Sequence, residues 1–135
     1  MMKWASTITV CILCVCSAAS GQEASYGQTE YLNSCAMCHG EAGKGDGPLA
    51  HDLYKAPADL TRLSEQNGGE FPTWRVFATV DGRHAANQRD YRDMPIWGER
   101  FLEDDARKYG TNAGEAVTTE RILELTRYIQ LLQRQ

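Results

Sequence analysis

Apolar side chains in the last part of the chain fall at Ile122, Leu125, Ile129 and Leu132, with Tyr128 beside them and no Gly or Pro between. That spacing draws one stripe along a cylinder and predicts an amphipathic helix. Gly27, Tyr31 and Cys35 recur every four residues, which puts a small residue, an aromatic ring and a thiol on one face of an N-terminal helix. Between these two, short helical candidates alternate with turns. Residues 59–66 are stopped by Asn67-Gly68-Gly69, and residues 72–81 begin at a proline and stop at Gly82. Within the latter, Trp74, Val76, Ala78 and Val80 also alternate as a strand would, but the Pro and Gly boundaries favour helix. Residues 98–109 predict a further helix ended by Gly110, and residues 111–118 read as a polar connection to the last one. The pattern is all-α, without internal repeats or low-complexity tracts.

Residues 1–21 break this pattern. Met1-Met2-Lys3 precedes a charge-free apolar stretch from Trp4 to Cys16 and then the small residues Ser17-Ala18-Ala19-Ser20-Gly21. This is the order of a cleaved secretory signal, and it predicts cleavage between Ala19 and Gln22. The apolar stretch is short for a membrane span and no stop-transfer charge follows, so a retained anchor is the weaker reading. Residues 22–135 are then a single exported domain.

Composition adds exclusions. At 42% hydrophobic and 24% charged residues the chain is ordinary globular material, neither disordered nor fibrous. Its net charge of −4 becomes −5 when Lys3 leaves with the signal, a balance that argues against nucleic acid as a partner.

Cys11, Cys14 and Cys16 lie in the apolar stretch, so the mature domain keeps Cys35 and Cys38. A short-loop disulfide is one use for such a pair in an oxidising compartment. The run Cys35-Ala36-Met37-Cys38-His39, however, has the CxxCH pattern of covalent c-type haem attachment. With five Cys and three His in 135 residues, chance gives that run roughly one time in a thousand per cysteine. The chemistry explains the spacing: two thiols on a tight turn can add to the two vinyl groups on one porphyrin edge, and the next imidazole then reaches the iron. A redox disulfide does not require His39, and zinc needs more Cys or His ligands than the mature domain readily supplies. For the opposite axial position, Met1 and Met2 depart with the signal and Met37 is tethered inside the attachment turn, which leaves Met94, followed by Pro95. His84, His51 and an open site compete with it.

These residues resemble the small class I c-type cytochromes of bacterial periplasms, over the whole mature chain. The similarity runs through Gly40-Glu41-Ala42-Gly43-Lys44-Gly45-Asp46-Gly47-Pro48, Pro57-Ala58-Asp59-Leu60-Thr61, Asn67-Gly68-Gly69, Phe71-Pro72, Asp81-Gly82-Arg83 and Met94-Pro95-Ile96-Trp97-Gly98. The resemblance implies a cytochrome c fold, with short helices around one haem c bound through Cys35 and Cys38. It implies His39 and Met94 as iron ligands and the Pro48 carbonyl as acceptor for the free ring nitrogen of His39. It also implies that the terminal helices cross at the glycine, so that Gly27 and Tyr31 meet Leu125 and Tyr128. The polar run from His84 to Arg92 departs from the family's pattern, and His51 and His84 read as exposed and unligated.

The function expected is a periplasmic electron carrier: a monomer without bond-breaking catalysis, without stable membrane insertion, and with redox proteins as partners. Two alternatives stand beside it. One is a haem subunit of an oxidoreductase complex, and the other a haem enzyme or gas binder with an open sixth site. Arg83, Arg89, Arg92 and Arg100 bracket Met94 and are candidates for a basic docking rim.

Overall fold

A computed structural model describes residues 19–84 and 94–133. Apart from its last three residues the predicted export signal lies outside them, as do Arg89 and Arg92. Five α-helices and no strand occur among the described residues: α1 (Ala19–Ser34), α2 (Ala36–His39), α3 (Thr73–Asp81), α4 (Trp97–Tyr109) and α5 (Thr111–Leu131). Three 3₁₀ turns, Ala50–Asp52, Leu60–Arg62 and Glu65–Asn67, lie between α2 and α3.

The two predicted stripes meet. Ile122, Leu125 and Ile129 of α5 are buried, and so are Tyr31 and Cys35 at the end of α1. The helices cross at Gly27, where an added Cβ would lie 2.3 Å from the Glu124 carbonyl oxygen and 3.0 Å from the Tyr128 Cβ. One turn along, the rings of Tyr31 and Tyr128 pack with centroids 5.2 Å apart. The Tyr31 hydroxyl, buried beneath them, donates to the Gly40 carbonyl at 2.6 Å and so ties the crossing to the loop after α2.

In α3 the helical period prevails over the alternation. Val76 and Val80, four apart, are buried, whereas Trp74 and Ala78 face outward. The helix stops at Gly82, whose φ of 67° is left-handed and whose N–H returns to the Ala78 carbonyl. Residues 59–66 form two 3₁₀ turns rather than one helix, the first capped by Asp59, which accepts from the N–H and hydroxyl of Thr61. A second tether comes from far along the chain. The Gln133 amide accepts from the Ser64 N–H at 2.9 Å and donates to the Leu60 carbonyl at 2.7 Å.

Residues 111–118 are not a connection; α5 begins at Thr111, directly after Gly110. Their polarity misleads because Thr111, Asn112 and Glu115 lie on the exposed side of the helix, while Gly114 and Thr118 face inward. Thr118 is fully buried and donates to Asp105 of α4 at 2.8 Å, and Gly114 lets α5 lie directly against the backbone of Ala106. Beside them Arg121 bridges α1 and α4, donating to Glu30 at 2.7 Å and Asp105 at 3.3 Å while its guanidinium carbon lies 4.0 Å from the Phe101 ring centre.

Candidate functional site

The end of α1 turns sharply at Cys35, whose N–H still bonds the Tyr31 carbonyl. The N–H groups of Cys38 and His39 then both donate to the Cys35 carbonyl, at 3.1 and 2.9 Å. One turn therefore carries two thiols and an imidazole. Both thiols are free; Cys35 is buried against the core and Cys38 half-buried. Burial pushes the Cys35 thiol up to about 12, with Glu30 and Cys38 acting in the same sense, so it stays protonated.

The loop after this turn is held by the turn's own backbone. Gly45, Gly47 and Leu49 donate their N–H groups to the carbonyls of His39, Cys38 and Met37. Gly45 has a φ of +79°, and a Cβ there would lie 2.5 Å from the Pro57 carbonyl oxygen. Only glycine lets the 57–60 segment approach this closely, and the Leu60 N–H completes the contact by donating to Gly43 at 2.7 Å. That approach delivers the Ala58 carbonyl to His39, 3.0 Å from Nδ1. The resemblance names the Pro48 carbonyl for the haem-bound ring; in this structure the carbonyl at Nδ1 is that of Ala58, on the segment lying across Gly45.

A carbonyl can only accept, so Nδ1 carries the hydrogen and Nε2 keeps its lone pair. Burial lowers the His39 pKa, against the opposing pull of the Ala58 bond, and favours this neutral imidazole.

Met94 is half-buried and packs against the hydrophobic core, as do Leu60, Leu63, Phe71, Phe77 and Trp97. The Trp97 ring lies on Phe101, with centroids 5.3 Å apart. His84 and His51 are exposed, the latter 3.4 Å from Asp52. Among the described residues no three His, Cys, Asp or Glu side chains converge as a metal cluster. Of the arginines around Met94, Arg83 is largely covered and bonded to Asp81 and Glu115, and Arg100 lies 5.3 Å from the centre of the Trp97 ring.

An all-α fold with a thiol pair and a neutral imidazole on one turn at the edge of its core suits a protein built around an apolar prosthetic group. The Cytochrome c family model matches residues 24–130, and the chain belongs to that family. Membership implies a covalently bound haem c and haem-based electron transfer. No curated protein and no solved structure matches the chain.

The residues present fit a haem. The donor set offers two free thiols for covalent bonds, an imidazole with one nitrogen tied back, and half-buried apolar side chains around them. The Ala58 carbonyl carries no side-chain signature, although the block Pro57 to Thr61 was visible in the sequence.

Proposed function

We propose that the mature protein is a periplasmic carrier of single electrons, holding one haem c by thioether bonds at Cys35 and Cys38, with His39 and Met94 as the axial ligands. When bound, the haem supplies an iron that alternates between ferric and ferrous. The protein's own part is to attach, orient and cover it. Cys35 and Cys38 would hold the haem covalently, Ala58 holds the His39 ring through Nδ1 so that its other nitrogen could serve the iron, and a thioether ligand from Met94 would favour the ferrous state. A haem iron held by both His39 and Met94 would offer no open site to a substrate, which suits a carrier rather than an enzyme.

The observation that carries this reading is the Cys35–His39 turn, where both thiols are free and the imidazole is held with Nε2 available. The start of the family match at residue 24, just after the expected cleavage, supports a signal at residues 1–21 and one domain at 22–135. Among the described residues no helix is long and apolar enough to cross a membrane.

Optical spectra of the oxidised and reduced protein test the assignment. Wild type is expected to show the weak red charge-transfer band of a thioether on ferric iron and to bind carbon monoxide poorly when reduced. Met94→Ala should lose the band and bind carbon monoxide, while His84→Ala keeps the wild-type behaviour; a wild type without the band, with carbon monoxide binding gained by His84→Ala and not by Met94→Ala, would mean bis-histidine ligation instead.

A second reading, a redox subunit of a larger oxidoreductase, is favoured by Trp74, which is 73% exposed on α3 beside Phe77. A monomer on size-exclusion chromatography of the native extract supports the free carrier, and elution with larger proteins supports the subunit.

A further inference from the structure

At the junction of α3, α4 and α5 one guanidinium bonds α3 to α5 and lies against the first turn of α4. Arg83, the first residue after the Gly82 stop, donates from Nε to Asp81 at 2.7 Å and from Nη1 to both Glu115 oxygens at 2.8 and 2.9 Å. Its side chain is 15% exposed and that of Asp81 4%, so Asp81 is a buried charge and Arg83 is its counter-ion. Gly98, in the first turn of α4, sits on this pair. A Cβ there would lie 2.3 Å from Asp81 Oδ1 and 2.6 Å from Arg83 Nε.

We propose that Arg83 is a positioning residue for Met94: with Asp81 and Glu115 it clamps the first turn of α4, and through that turn it holds the methionine in reach of the iron. The proposal rests on the reading of Met94 as an axial ligand. Met94 lies four residues before Gly98, and Pro95, with its fixed φ, follows it directly. A displacement of the first turn of α4 is therefore passed to Met94 over a short, stiff stretch. The planar fork of arginine serves the two carboxylates from different nitrogens, which the point charge of lysine does less well. Because its charge is committed to Asp81 and Glu115, Arg83 is no member of a basic docking rim. The clamp also stands apart from the α1–α5 crossing, so loosening it should release Met94 before it unfolds the helices.

The test uses ferric holoprotein and free imidazole, which binds the iron only when Met94 leaves. Arg83→Gln is expected to bind imidazole about tenfold faster than wild type, the equivalent of about one charge-assisted hydrogen bond. Glu115→Ala, altered at an exposed position, should show a smaller rise, and Arg83→Lys should recover part of the wild-type rate. Far-UV circular dichroism at 25 °C should be unchanged in all three. Wild-type imidazole rates in Arg83→Gln would overturn the clamp. So would a thermal loss of the red band that merely tracks loss of helix. If Arg83→Gln fails to fold, Glu115→Ala decides alone, and an unchanged rate overturns the proposal. Absence of the red band from wild type would instead overturn the Met94 ligand, and the clamp's role with it.

Discussion

Gly27 lies against the backbone carbonyl of Glu124 so closely that no side chain fits between α1 and α5. Because the obstacle is backbone, a neighbouring rotamer change cannot relieve it. Gly27→Ala is expected to push the helices apart and cost about 1–3 kcal/mol, as overpacking of a filled core does. Urea unfolding of the holoprotein measures it; a midpoint equal to that of wild type would mean that the crossing yields without cost.

Arg121 is the counter-ion of two nearly buried carboxylates, Glu30 and Asp105. Arg121→Ala leaves both unpaired and removes the guanidinium from the Phe101 ring, a loss expected to be about 3 kcal/mol. Adding Glu30→Gln and Asp105→Asn to that variant should restore part of the stability. Thermal unfolding of the single and triple variants checks the order.

Extraction with acid and acetone separates covalent from free haem. Wild type is expected to keep its haem in the protein phase. Cys35→Ser and Cys38→Ser should each retain at most one thioether and yield much less holoprotein. Haem passing into the organic phase from wild type would remove covalent attachment altogether.

The Ala58–His39 bond depends on the absence of a side chain at Gly45. Gly45→Ala should displace the Pro57 and Ala58 carbonyls and weaken the bond to Nδ1, making the imidazole a poorer donor to ferric iron. The midpoint potential should rise by roughly 20–65 mV, the equivalent of a hydrogen bond of about 0.5–1.5 kcal/mol, with the haem still attached. Redox titration reads the shift; a potential equal to that of wild type would detach Ala58 from any tuning of the iron.

The terminal helices were legible because apolar spacing leaves marks in side-chain identity, and their crossing at Gly27 because the resemblance implied it. Val76 and Val80, bounded by Pro72 and Gly82, made α3 readable in the same way. Residues 111–118 were not, since Thr118 looks like a surface residue until Asp105 is seen opposite it. Arg83 misled for the same reason: next to other arginines it resembles a patch, yet its partners are Asp81 at close range and Glu115 on another helix. The Cys35, Cys38 and His39 turn was plain. The acceptor for His39 was not, because every residue has a carbonyl and only the packing across Gly45 selects that of Ala58.

The Gln133 amide closes a span of 69 residues to Ser64 and 73 to Leu60. Leu60 also donates its N–H to Gly43, within the loop that carries the His39 turn. The loop after the Cys35–His39 turn is thus fastened by a side chain from the far end of the chain, and closing so long a span costs chain entropy that nearer contacts do not. Removing the last three residues would therefore slacken a loop that lies near the start of the chain.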